Sequence, residues 1–167
     1  GGTVTTLAAQ QAGWDEQLVE LDQLRADPGY AGVNGSGVRV VVIDTGIDAT
    51  HPFFDGRIVY QYDFADNDTQ ATDRNGHGTH VAGVIAGADA MFGGVAQGAE
   101  LIVLKVFGDD GSGSFANLER ALQWVNANAK AWNIGVVNLS LGDGANWADA
   151  GSHYGLGDEF AALAAQN

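Results

Sequence analysis

An α/β fold with a mostly parallel central sheet is predicted for this 167-residue chain. Apolar runs at 38–43, 58–64, 101–107 and 134–141 are typical of strands, and the runs at 38–43 and 101–107 read as buried. Helical patterns at 78–86 and 115–131 separate these runs along the chain. Strands that alternate with helices favour parallel pairing through right-handed crossovers. We therefore expect one domain with helices packed on the sheet.

The first segment, 3–28, carries leucines and other apolar residues at mostly helical spacing, which predicts an N-terminal helical arm. Asp27-Pro28-Gly29 ends this pattern, and 32–37 reads as a loop. We assign 1–34 to the arm and 35–167 to the α/β core. The helix predicted at 78–86 is rich in Ala and Gly and can pack closely against its neighbours. A last helix begins within 159–165, so the fold is expected to be incomplete at the C-terminus.

The chain has 21 acidic and 7 basic residues, giving a net charge of −14. So acidic a chain is a poor partner for nucleic acid, because little in it could neutralise phosphates. No apolar run reaches the roughly 18 residues of a membrane span, which predicts no membrane partner. The absence of cysteine excludes disulfides and thiolate metal sites.

Asp44 follows the first buried run and is expected at the carboxyl end of a strand, where functional groups of α/β sheets gather. The alternative is an ordinary turn residue, because Asp-Thr-Gly has good turn chemistry. His77 lies between two glycines at a helix start, and histidine is suited to proton transfer near neutral pH. The alternative is a structural histidine. We interpret His80, one turn further on, as structural.

Taken together and in this order, the motifs identify the chain as a member of the subtilisin-like (subtilase) serine proteases. The family-like segments are Asp-Thr-Gly-Ile-Asp (44–48), His-Pro (51–52), Asn-Gly-His-Gly-Thr-His-Val-Ala-Gly (75–83), Gly-Val-Ala (94–96), Leu-Lys-Val (104–106), Gly-Ser-Gly (111–113) and Asn-Leu-Ser-Leu-Gly (138–142). The resemblance implies a subtilisin-like three-layer fold and a triad in the order Asp, His, Ser. Asp44 and His77 would be its first two members.

No segment of the chain resembles the family's Gly-Thr-Ser-Met-Ala nucleophile motif or its oxyanion-hole asparagine. The resemblance therefore covers the N-terminal part of a catalytic domain without its serine segment. This predicts that the 167 residues alone are inactive. The C-terminal half of the same protease is then an expected partner.

The resemblance also implies two segments that flank an extended peptide substrate through their backbone groups. Their residues are Gly111, Ser112, Gly113, Ser140, Leu141 and Gly142. The alternative for 111–113 is an ordinary glycine turn.

The acidic loop before His77 offers several oxygen ligands at short spacing, a pattern that suits Ca²⁺. Asp63, Asp66 and Asp68 are the candidate ligands of this structural calcium site, and some subtilases bind calcium in a similar loop. The alternative is a solvated acidic loop.

The leading hypothesis is thus a secreted subtilisin-like endopeptidase that hydrolyses polypeptide substrates. The alternative is a non-catalytic peptide-binding or assembly module on the same scaffold, which would have no evident use for both Asp44 and His77.

Overall fold

The computed structural model describes residues 14–90, 92–144 and 153–166. Four strands form one sheet in the order β2-β3-β1-β4, and every neighbouring pair is parallel. The strands are β1 Arg39–Asp44, β2 Ile58–Asp63, β3 Glu100–Lys105 and β4 Ile134–Asn138, and the helices are α1 Trp14–Leu18, α2 Leu21–Ala26, α3 His77–Ala86, α4 Phe115–Asn128 and α5 Gly157–Ala164.

The sheet has a helix packed on each face. Successive side chains of a strand point to opposite faces, so β1 contributes to two separate cores. Val40 and Val42 pack with Ala82 and Ala86 of α3. The core on the other face contains Val41 and Ile43 of β1 together with Leu118, Leu122 and Val125 of α4. This arrangement confirms the predicted three-layer α/β fold.

Three of the four described strands end earlier than the apolar runs suggested. β3 stops at Lys105, and Phe107 instead forms an isolated antiparallel bridge with Gly113. β4 stops at Asn138, the last residue that pairs with β1. Backbone pairing, which the apolar run does not report, decides where a strand ends.

The predicted N-terminal arm differs from expectation where it is described, because two short helices replace one. Glu20 has a φ of 59°, and this left-handed conformation separates α1 from α2. Within the described part of the arm Leu21 is buried, at 6% exposed, whereas Leu18 is 75% exposed. Arg25 fastens the arm to the core by donating a 2.8 Å hydrogen bond to the Gly94 carbonyl. The part of the arm before residue 14 lies outside the described residues.

β4 is an edge strand within the described sheet, where it pairs only with β1. Its central residue Val136 is 49% exposed, although parallel strands are usually covered on both faces. Unpaired strand edges recruit other strands, and a charge on the edge opposes this. We expect the 167-residue chain to self-associate at high concentration and Val136→Lys to shift it towards the monomer in sedimentation velocity.

The matched control is Val84→Lys, because Val84 is equally exposed, at 51%, but lies on α3. It should leave self-association unchanged. Equal effects of the two lysines would show that overall charge, and not the β4 edge, controls association.

Candidate active site

The carboxyl ends of the strands bring charged residues together at one edge of the sheet. Asp44 is the last residue of β1 and Lys105 the last of β3, and the two are paired in register. Asp63, the last residue of β2, is paired with Lys105 from the other side. All three are almost fully buried, with Asp44 only 1% exposed. A buried carboxylate requires a partner of opposite charge or strong hydrogen bonds.

His77 supplies such a partner for Asp44. Its Nδ1 lies 2.7 Å from Asp44 Oδ1. Because an ionised carboxylate only accepts hydrogen bonds, Nδ1 carries the proton and donates. In the neutral imidazole Nε2 is then unprotonated and can take up a proton from a third group. The His77 side chain is half exposed whereas that of Asp44 is buried, so the imidazole connects the buried charge with the surface.

Asp44 has few hydrogen-bond partners other than the imidazole of His77. Oδ1 also accepts a 2.7 Å hydrogen bond from the Thr45 backbone N–H, which is the turn contact that the local sequence favours. Within the described parts of the chain, Oδ2 is buried without a hydrogen-bond partner. The turn contact alone therefore does not account for the burial of Asp44, which also has the contact with His77.

Two glycines allow α3 to start against the turn that follows β1. A Cβ on Gly78 would lie 2.3 Å from the Gly46 carbonyl oxygen and 3.2 Å from Asp44 Oδ1. Gly46 has a φ of 117°, and a Cβ there would lie 2.5 Å from the Ala71 carbonyl oxygen. A larger residue at position 78 would push the start of α3 away from this turn, and one at position 46 would displace the backbone of residues 71–73.

The two predicted peptide-flanking segments follow the two strands that neighbour β1. Residues 111–113 follow β3 and residues 140–142 follow β4, and these strands are the two neighbours of β1. Gly111 has a φ of 80°, and residues 111–113 are exposed. Ser140 and Gly142 are exposed, and Leu141 is partly buried. The sheet order thus places a glycine-containing segment next to each side of the Asp44 strand.

Tyr154 links the ends of the two segments. Its ring stacks on Phe115 with centroids 3.7 Å apart, and Phe115 follows the first segment by two residues. Its hydroxyl donates a hydrogen bond to Asp143 Oδ2, immediately after the second segment. The contact to Asp143 raises the pKa of the Tyr154 phenol. Tyr154 thus bridges the residues Phe115 and Asp143 that lie next to the two segments.

The acidic loop gives no support to the calcium prediction. Asp63 Oδ1 already accepts backbone hydrogen bonds from Ala65 and Asp66. Arg120 places its guanidinium cation in the same loop, where it donates to Asn67 Oδ1 and to the Phe64 carbonyl. No three acidic or histidine side chains of the described residues converge as a metal site requires. The calcium site at Asp63, Asp66 and Asp68 stays a prediction that these residues do not fit.

Comparison with known proteins agrees with this geometry. The profile of the subtilase family (peptidase S8) matches residues 35–166. The chain belongs to the subtilase family. It is 43% identical over 132 residues to alkaline serine exoprotease A of Vibrio alginolyticus, and 42% identical over 141 residues to an alkaline protease of Alkalihalobacillus alcalophilus. The crystal structure of a cold adapted subtilisin-like serine proteinase superposes with a TM-score of 0.65 at 36% identity.

These subtilase relatives are considerably longer than the region they share with the chain. The matches cover 78% and 83% of this chain but 24% and 34% of the two curated relatives. The structural match covers 80% of this chain and 45% of the other. The similarity therefore concerns only a part of each relative, and in this chain that part contains Asp44 and His77.

Sequence reasoning missed two residues that support this subtilase site. The Lys105 Nζ donates to the Thr45 carbonyl at 3.0 Å and pairs with Asp109 at 3.1 Å. Asp73 accepts hydrogen bonds from the Thr45 hydroxyl and from the start of α3. A signal for Asp73 was present in Asp-Arg-Asn-Gly, since Asp commonly caps the backbone two or three residues on. Lys105 lies in the family-like Leu-Lys-Val segment (104–106), but that resemblance assigned it no role.

Substitution of Gly78 tests the close approach of α3 to Asp44. We expect Gly78→Ala to destabilise the chain by about 1–3 kcal/mol, the usual cost of overpacking, in urea unfolding. Gly83→Ala is the matched control in the same helix, because a Cβ there meets nothing within 4 Å. It should stabilise by about 0.4–1 kcal/mol through the unfolded state. Equal effects of the two alanines would contradict the tight contact.

Acid unfolding tests the hydrogen bonds of Asp73. Partial burial would raise the pKa of this carboxyl, but hydrogen bonds from Thr79, Gly76 and Asn75 outweigh it and lower the pKa to about 2, from a usual 3.8. Because the folded-state value is the lower one, Asp73 stabilises the fold above pH 3.8 and loses this contribution as the pH falls towards 2. Hydrogen bonds from Thr50 and Ser112 lower the pKa of Asp48 and of Asp110 in the same direction.

We therefore expect the free energy of unfolding to decrease between pH 5 and pH 2.5, and to decrease less in Asp73→Asn. Urea unfolding at the two pH values provides the measurement. An identical decrease in the variant and the unsubstituted chain would show that Asp73 is not a source of the acid sensitivity.

Proposed function

We propose that this chain is the N-terminal part of a subtilisin-like serine endopeptidase and that Asp44 and His77 are two members of its Asp-His-Ser triad. The observation that carries the proposal is the 2.7 Å contact between His77 Nδ1 and the buried Asp44 carboxylate. Membership of the subtilase family supports it, as does the presence of serine proteases among the similar proteins.

In the proposed mechanism His77 is the general base and then the general acid. Its Nε2 takes the proton from a serine hydroxyl and returns it to the leaving amine. The Asp44 carboxylate keeps the imidazole in the tautomer with Nδ1 protonated and stabilises the imidazolium. Burial strengthens this effect, since an electrostatic interaction is weakened less in a low dielectric.

The proposed substrate is an extended polypeptide that lies between residues 111–113 and 140–142. Glycines at both segments carry no side chain that would block a strand-like partner. Within the first segment the N–H groups of Gly111 and Ser112 are already bonded in the turn. The Tyr154 contacts support this role because they connect Phe115 and Asp143, which adjoin the two segments. Calcium is not part of this proposal.

The nucleophile would come from the C-terminal half of the same protease. The 167 residues contain no Gly-Thr-Ser segment, so the chain by itself is proposed to be inactive. Loss of the serine alone lowers kcat about 10⁶-fold, as measured in subtilisin itself.

Secretion is proposed solely from the similarity to the named proteases. One relative is an exoprotease by name. In the described ranges, none of the helices has the length and apolar character needed to cross a bilayer.

A peptidase assay on the complete protein that contains this chain tests the proposal. We expect His77→Ala to lower kcat by about 10⁶-fold, because the base and the nucleophile act as a unit. Asp44→Asn should lower kcat by about 10⁴-fold through the wrong imidazole tautomer. His80→Ala is the control: this exposed histidine lies one turn along α3, and its loss should change kcat less than about threefold.

A fluorophosphonate probe separates the protease from the non-catalytic module. The probe should label the complete protein at one serine and leave the 167-residue chain unlabelled, as read from intact masses. A complete protein that neither reacts with the probe nor cleaves peptides would favour the peptide-binding or assembly module.

A further inference from the structure

Asp73 lies at the meeting point of the two segments that carry Asp44 and His77. Its Oδ1 accepts a 3.0 Å hydrogen bond from the hydroxyl of Thr45, the residue next to Asp44. Its Oδ2 accepts two hydrogen bonds from Thr79, two residues after His77, at 2.9 Å from the backbone N–H and 2.6 Å from the hydroxyl. One carboxylate therefore contacts the β1 turn and the first turn of α3 at the same time.

The hydrogen bonds of Asp73 extend through both threonines. The Thr45 hydroxyl, which donates to Asp73, accepts from the Gly78 N–H at 2.9 Å. The Thr79 hydroxyl, which also donates to Asp73, accepts from the Asp48 N–H at 2.9 Å. Each hydroxyl thus links the β1 turn to α3, and the acceptor of both hydroxyl protons is Asp73.

The start of α3 depends on these bonds. The first N–H groups of a helix have no partner within the helix. Here the N–H of Gly78 is bound by Thr45 and that of Thr79 by Asp73. The N-cap residue Gly76 has no side chain to take this role, and its own N–H is bound by Asp73 Oδ1 at 2.8 Å. His77 is the first residue of this helix, so Asp73 sets the position from which its imidazole projects.

We propose that Asp73 is a positioning residue that holds the imidazole of His77 against Asp44. It does not touch the reacting atoms and acts through Thr45, Thr79 and the start of α3. Two of its contacts, from the Asn75 and Gly76 N–H groups, only shape its own loop. The contacts to Thr45 and Thr79 reach beyond that loop and distinguish positioning from simple loop capping. The inference rests on the proposed roles of Asp44 and His77.

The test measures how rapidly the His77 Nδ1 proton exchanges with water, by NMR on the 167-residue chain. An asparagine at position 73 has one accepting oxygen in place of two, so Asp73→Asn must lose either the Thr45 or the Thr79 contacts. We expect exchange to become faster by about tenfold, the scale of one net hydrogen bond. Unchanged exchange in a folded Asp73→Asn chain would overturn the proposal.

Asp48→Asn is the matched control for the loss of charge. Asp48 is a nearby carboxylate that caps its own turn through Thr50, and in the described structure its side chain makes no hydrogen bond to α3, which is reached only by its backbone N–H. Its substitution should leave the exchange rate unchanged. An equal acceleration in Asp48→Asn would overturn the proposal in favour of a general effect of negative charge.

If Asp73→Asn does not fold, Thr45→Val tests whether Asp73 positions His77. It removes the hydroxyl bridge and leaves the bonds of Asp73 to its own loop intact. We expect accelerated exchange in Thr45→Val and normal exchange in Thr45→Ser, which restores the hydroxyl. The same rate in Thr45→Val, Thr45→Ser and the unsubstituted chain would overturn the proposal, because the bridge from Asp73 through Thr45 would then not hold His77 in place.

A kinetic measurement on the complete protein separates this inference from the proposed function. If Asp73 positions His77, Asp73→Asn should lower kcat and leave KM unchanged, because the peptide-flanking segments lie elsewhere. Normal kcat in this variant would contradict positioning. A complete protein without any peptidase activity would refute the proposed function, while the exchange result would still report on the position of the imidazole.

Discussion

The burial of one carboxylate at the end of the central strand is the constraint on which the rest of the site depends. Asp44 is 1% exposed, and an ionised group so placed is costly unless its charge is compensated. The compensating group is the imidazole of His77, 33 residues further along the chain. That contact requires α3 to begin directly against the turn after β1, which accounts for Gly46 and Gly78 at the point of contact.

The sheet order determines what surrounds this pair. Because all described strands are parallel, their carboxyl ends meet at one edge, and the loops that follow β3 and β4 lie on the two sides of β1. The apolar cores on both faces make this order stable, since β1 contributes alternate valines to each. The same packing that folds the chain therefore also places the loops that contain residues 111–113 and 140–142 after the two strands that flank β1.

Helices and strands were predictable to the extent that burial is visible in local patterns. The apolar run at 38–43 predicts a buried strand, and five of the six residues of β1 are buried. The stripe on α4 was visible for the same reason, through Leu118, Ala121, Leu122 and Val125. The N-terminal arm was misjudged because a helical spacing of leucines does not reveal the left-handed Glu20 that divides it.

The order of residues along the chain predicts three features of this protein. These are the α/β class, the position of Asp44 at the carboxyl end of a strand, and the glycine-flanked start of α3 at His77. They depend on apolar periodicity and turn chemistry, which act between near neighbours. Only the tertiary structure decided three other contacts. They are the bonds between Asp73 and Thr45, between Lys105 and the Thr45 carbonyl, and between Arg120 and the acidic loop. Their partners are 28, 60 and 53 residues apart, and such contacts exist only once the sheet has brought the loops to one edge.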